Sequence, residues 1–218
     1  MKLNSQILKL ARKEVDHHLV SDLNYTMELH RFMQDKIDLD SYMSSDFGFK
    51  NFLYDYKVGR TLKAGDIPKM KILTLIKDYP FGKTHVEEIA LLANKIQKNG
   101  LSSHSGKSGP GLPQSFCSKF LYVLMPDQLI PYDSYVLKSL QLNTGQSLKT
   151  LAHYYEHANH FRLKYFPETS HEVIKINKGI DSQFRSQVSN LKLDLDKLLS
   201  WKLTDKYLWC EHDIRRKE

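Results

Sequence analysis

Two side chains stand where bond-breaking chemistry is possible. Asp133, in the run Ile130-Pro131-Tyr132-Asp133-Ser134-Tyr135-Val136, is a carboxylate placed just before a helical pattern, and Lys119 is the one amine in the apolar run Gln114 to Met125. A carboxylate at a helix start stays ionised even near apolar neighbours, because the free N–H groups and the dipole favour negative charge. It can steady a developing cation or take a proton from water. An amine can attack carbon or simply supply positive charge. A second constellation, His153-Tyr154-Tyr155-Glu156-His157 followed by His160, has the H-x-x-E-H spacing of some zinc peptidases and puts three imidazoles on one helix face. Those peptidases are much larger, and a five-residue match arises easily among 10 histidines. The reading taken is an aromatic, partly buried helix face, with no metal and no other cofactor expected.

The charge around these residues is one-sided. From Ile89 to Tyr155 the only carboxylates are Asp127 and Asp133, against Lys95, Lys98, Lys107, Lys119, Lys138 and Lys149. Phosphate contact suits such a field, and the formal net charge of +7 favours a polyanionic partner. Asp133 within it has two readings, a helix cap or a carboxylate acting on a substrate held by the positive surface. The segment Leu101 to Gly109, LSSHSGKSG, contains Gly106-Lys107-Ser108 but is no phosphate-loop motif: Leu101 stands where the first glycine belongs, and the segment follows a helical pattern instead of a strand. Lys107 is then either a phosphate contact or part of a solvated loop.

The run Pro110-Gly111-Leu112-Pro113-Gln114-Ser115-Phe116-Cys117, followed by the turn at Asp133, resembles the helix-hairpin-helix DNA glycosylase superfamily, the endonuclease-III-like and 8-oxoguanine-glycosylase-like base-excision enzymes. Their hairpin reads like LPGVGRST, and a VDTHV-like turn carries the catalytic aspartate. Asp133 follows Ser115 by 18 positions, similar to the family's spacing between its lysine position and its aspartate. The resemblance implies an all-α fold of two interleaved lobes with a helix-hairpin-helix element. It also implies DNA bound across the hairpin through Lys107, Gly109, Gly111, Gln114, Ser115 and Lys138, and Asp133 in a cleft, assisting attack of water on the sugar of a damaged or modified nucleotide. Ser115 falls where bifunctional members carry their Schiff-base lysine, which implies the monofunctional branch; Lys119, one turn further along the same face, is the second catalytic candidate. Pro113 falls where the second hairpin glycine belongs and removes an N–H that would face a phosphate. That departure favours the runner-up reading, a helical DNA-binding module without catalysis. A third reading is an interaction subunit of a defence system.

These residues need helices to position them, and the sequence reads as helical throughout. Leu3, Ile7 and Leu10 begin an amphipathic helix, Asp22 or Asn24 caps a second, and Asp38 to Asp46 is expected to be a connecting loop. Phe47, Phe49, Phe52, Leu53, Tyr54 and Tyr56 read as core. Helices are expected over Lys69 to Lys77 and from a Thr84/Glu87 capping box to Lys98. Pro126 stops the helix that starts at Gln114, Asp133 or Ser134 caps the next, and Pro167 ends the one that starts near Leu148. Leu191 to Leu199 and Thr204 to Trp209 form two more, followed by a solvated Arg215-Arg216-Lys217 tail. The lobes are expected at 1–83 with 150–218, and at 84–149. The 218 residues are 41% hydrophobic, enough for one substantial core or two small ones. Cys117 and Cys210 read as buried, reduced thiols, and with no membrane span or leader pattern the chain is expected in the cytoplasm.

Overall fold

The computed structural model describes residues 3–103 and 112–217. All of its regular elements there are helical: α1 (Ser5–Met33), α2 (Leu39–Ser44), α3 (Phe49–Asp55), a 3-10 turn (Gly59–Thr61), α4 (Asp66–Lys77), α5 (His85–Lys98), α6 (Gln114–Leu124), α7 (Ser134–Thr144), α8 (Leu151–Gly179), α9 (Ser182–Asn190) and α10 (Leu195–Lys217). Extended pairing among the described residues amounts to one bridge, Leu62 with Ser102. The chain is all-α. Its contacts divide it into a contiguous unit, Asn24–Leu124, and a split unit, Met1–Leu23 with Met125–Glu218.

The contiguous unit is built on rings. Phe32 stacks on Tyr42 at 4.8 Å, and Phe49, Phe52, Phe116 and Phe120 meet one another at 5.9 to 6.2 Å, all of them buried. Ile72, Leu73, Ile76, Ile89 and Leu92 complete this core from α4 and α5. Of the expected aromatic core Phe49, Phe52 and Leu53 are buried, Phe47 and Tyr56 are half-buried, and Tyr54 points outward, 82% exposed. Gly48, the residue before α3, is required by proximity: a Cβ there would lie 1.9 Å from the Tyr42 carbonyl oxygen. Thr84 and Glu87 form the full capping box of α5. The Glu88 carboxylate, beside that cap, accepts from the N–H groups of Gly82 and Lys83 at 2.8 and 2.7 Å. Burial alone would raise its pKa, but those amides and the Tyr79 hydroxyl outweigh it and hold it below the usual glutamate value. Tyr79 moves the opposite way, to about 12, through burial and that same hydrogen bond.

In the split unit α10 packs against both α7 and α8 and is buried nearly all round from Leu198 to Glu211. A helix covered on every side must bury its polar residues as well, so each of them needs a partner. Lys202 pairs with Asp22, although burial, with Lys206 adding to it, pushes the lysine pKa well below its usual value. Thr204 donates to the Ser200 carbonyl at 2.9 Å, and Glu211 receives Ser139, Asn143 and Arg215. Asp127 accepts from the Asp194 N–H at 3.0 Å. Cys117 in one unit and Cys210 in the other are both buried free thiols, and burial pushes the pKa of each upward.

Five local expectations give way to longer helices. Neither Asp22 nor Asn24 starts a helix, because α1 runs unbroken to Met33 and Asp22 is taken up by Lys202. Asp38 to Asp46 is not simply a loop: Asp38 accepts from the Ser41 N–H at 2.7 Å and starts α2, whose Tyr42 and Met43 are buried. Pro167 does not end its helix. Tyr154, Ala158, Phe161, Tyr165, Thr169, Val173 and Ile176 form one buried stripe that passes it, while Pro167 faces solvent and the carbonyl it cannot serve belongs to the exposed Leu163. The two short helices expected from Leu191 to Trp209 are instead the single α10, which begins at Leu195. The final basic run belongs to that helix and is no loose tail, with Arg215 on Glu211 at 3.1 Å and Lys217 on Asp213 at 2.5 Å.

Candidate functional site

Asp133 ends a turn whose three residues are held from below by one side chain. The hydroxyl of Tyr154, wholly buried in α8, donates to the Pro131 carbonyl at 2.7 Å, and its ring meets Tyr132 edge-on at 4.9 Å. The Asp133 N–H in turn donates to that phenol oxygen, which lowers a pKa that burial raises well above the ordinary tyrosine value. Leu129 and Ile130, just before the turn, are buried as well. The backbone of Asp133 is extended, and its Oδ1 accepts from the Tyr135 N–H at 2.7 Å, so Asp133 and not Ser134 caps α7. At the far end Gly145, with φ of 67°, closes α7 in the left-handed conformation that glycine adopts without strain. Between these ends, Ser139 and Asn143 fasten α7 to Glu211 of α10.

Around Tyr135 the surface is aromatic and basic. Its ring lies 4.8 Å from His212 and 5.7 Å from Trp209, and the Arg216 guanidinium sits 5.6 Å above it while donating to its hydroxyl at 3.0 Å. Lys138, one turn into α7, is exposed.

Lys119 belongs to the other unit. Its Nζ donates to the carbonyl of Tyr56, the residue that ends α3, at 3.0 Å. The contact sets the lysine head against a carbonyl at the end of α3, where the helix dipole favours positive charge. Gln114 and Ser115 are half-buried on the first turn of α6, where the Cys117 N–H bonds to the carbonyl of a buried Pro113 at 3.0 Å. Gln114, Ser115 and Lys119 thus share one helix in the contiguous unit, and Asp133 and Lys138 share α7 in the split unit. Lys107, Gly109 and Gly111 lie outside the described residues.

The H-x-x-E-H stretch does other work. His153, Glu156 and His160 are exposed on α8 and His157 is half-buried; among the described residues no three His, Cys, Asp or Glu side chains converge on a point where a metal ion would sit. The important residue of that motif is the one between its histidines, Tyr154. Sequence reasoning passed over it and over Glu211, because a contact spanning 23 positions, or one spanning 72, leaves no local pattern.

Among the described residues no helix is long and apolar enough to cross a membrane. No family model, no curated protein and no solved structure matches the chain.

Proposed function

We propose that this chain is a DNA glycosylase-like protein that excises a damaged or modified base, with Asp133 assisting water and no lysine adduct. One observation carries the reading. Of the two carboxylates between Ile89 and Tyr155, Asp127 is buried and engaged by the Asp194 N–H, whereas Asp133 is half-exposed and fixed at the N-terminus of α7. In the proposed reaction the bond between the sugar C1′ and the base nitrogen breaks, and its electron pair leaves with the base. The Asp133 carboxylate steadies the cationic sugar and accepts the proton that water loses as it adds to C1′. Lys119 forms no covalent bond to the DNA. Lys138, Gln114 and Ser115 contact the DNA backbone, together with Lys107, Gly109 and Gly111 of the hairpin-like stretch.

A second reading, a helical DNA-binding module without catalysis, is favoured by the Lys119 contact to Tyr56 and by Pro113 at the start of α6. Incubating the protein with duplex and single-stranded DNAs that carry oxidised, deaminated, alkylated or mismatched bases, and assaying abasic sites, separates the two. Release of one base is expected, with Asp133→Asn lowering turnover by 100-fold or more while DNA affinity stays within a few-fold. Borohydride should trap no protein–DNA adduct. Salt-sensitive binding with no base released would leave the non-catalytic module.

A further inference from the structure

The split unit carries an open groove of about 580 Å³ that the excision chemistry does not use. Lys138, Gln141 and Leu142 line it from α7, Gln146 and Ser147 from the turn after Gly145, and His212 from α10. Its described lining contains one cation, two carboxamides, a hydroxyl and an imidazole, and no carboxylate. With a lysine and no carboxylate, such a lining favours an anion over a cation. Leu142 is 56% exposed, a large apolar surface turned to solvent. His212 faces the groove and also packs against Tyr135, which packs against Trp209, so the groove extends a series of rings. The His212 Nδ1 is buried with no hydrogen-bond partner among the described residues, an uncommon state for a buried polar atom.

These features select a ligand class. A free phosphate or a peptide carboxylate would use Lys138 and leave the carboxamides, Leu142 and the imidazole face idle. A nucleotide uses all of them: its base lies flat against Leu142 and His212, its edge meets the paired donors and acceptors of Gln141 and Gln146, and its phosphate reaches Lys138. A base inside a duplex has its faces stacked and its edge paired, so only an unpaired nucleotide can enter. Lys138 lies five positions after Asp133, about 8 Å along the helix axis at 1.5 Å per residue, a span that adjacent nucleotides of an unstacked strand can cover.

We propose that this groove holds an unpaired nucleotide of a DNA strand whose neighbouring nucleotide reaches Asp133; the inference rests on the DNA partner proposed above. The test titrates the full chain with dAMP, dTMP and inorganic phosphate, following tryptophan fluorescence and the His212 ring resonances, and then with a thymidine octamer and a duplex of the same length. Both monophosphates should bind at least tenfold more tightly than phosphate, and the octamer more tightly than the duplex. Leu142→Asp, a surface change whose fold is checked by circular dichroism, should cost tenfold or more for nucleotide and octamer, as should the double variant Gln141→Ala/Gln146→Ala. Monophosphates binding no better than phosphate, or unchanged affinity in both variants, overturns the proposal. Nucleotide binding in a protein that releases no base keeps the groove and removes the excision reading. Base release with no nucleotide effect removes the groove alone.

Discussion

The two units solve the same problem of covering helices by opposite means. In the contiguous unit the interior is mostly rings and aliphatic side chains, Phe32, Tyr42, Phe49, Phe52, Phe116 and Phe120 over Ile72, Ile76 and Ile89, and among the described residues Glu88 is its one buried charged side chain. In the split unit a helix buried on all sides brings Lys202, Thr204, Asp205 and Glu211 inside, and Lys202 and Glu211 join it to neighbouring helices by directed bonds, while Thr204 bonds within the helix. An apolar core is favourable in many arrangements of similar volume, whereas a polar network is favourable in the one arrangement that satisfies it. The difference places geometric control where Asp133 is presented and plain burial where it is not. The polar interior therefore favours the one arrangement of α10 in which Lys202 meets Asp22 and Glu211 meets Ser139 and Asn143.

Substitutions in each unit break that contrast, and the largest effect belongs to the rings. Phe116→Ala removes a fully buried side chain in contact with Phe49, Phe52 and Phe120, and should cost about 4 kcal/mol in denaturant unfolding. Glu211→Ala strands Ser139 and Asn143; about 3 kcal/mol is expected, the contact to the half-exposed Arg215 adding little, and the loss should be accompanied by faster amide exchange along α7. Tyr154→Phe keeps the ring and deletes only the hydroxyl that serves Pro131 and Asp133. It should cost about 1–2 kcal/mol, yet speed exchange at Asp133 and Tyr135 tenfold and lower base release by a similar factor without weakening DNA binding. A stability loss with unchanged turnover would make the clamp structural only.

The smallest effect is the dependence on acid. Because the folded pKa of Glu88 lies below its unfolded value of 4.5, its anchoring of Gly82 and Lys83 is fully present above that pH and is lost as pH falls through the folded value. Glu88→Gln should flatten this acid limb of the stability curve. Lys202 acts in the same direction: its folded pKa also lies below its unfolded value of 10.5, so stability again rises with pH between the two. An alkaline rise that persists in Lys202→Met would remove that lysine as its source.

What could be read in the sequence follows from the range of the interactions. The α5 capping box, the Asp133 cap and the start of α6 were legible because cap, turn and helix lie within a few positions of one another. The lengths of α1, α8 and α10 were not. Each continues past a local stop signal because a buried stripe continues, and a stripe is visible only when the helix covering it is known. The candidate site divides in the same way. Asp133 announced itself through Pro131 and the helix after it, while the tyrosine that holds it stood inside a motif whose histidines drew the eye. The aromatic cluster at Phe47 to Tyr56 reads as core in the sequence, which holds for Phe49, Phe52 and Leu53, while the half-buried Phe47 and Tyr56 and the outward Tyr54 leave no local signal.

The placement of the two cysteines gives the protein an internal pair of clocks. Cys117 lies in one unit and Cys210 in the other, and burial suppresses the thiolate that an alkylating reagent requires. Each sulfur can therefore be labelled only when its own surroundings open. Labelling at Cys117 counts openings of the ring-packed core, and labelling at Cys210 counts openings of the polar one. A ratio of the two rates that changes with DNA present would tell which unit the nucleic acid steadies.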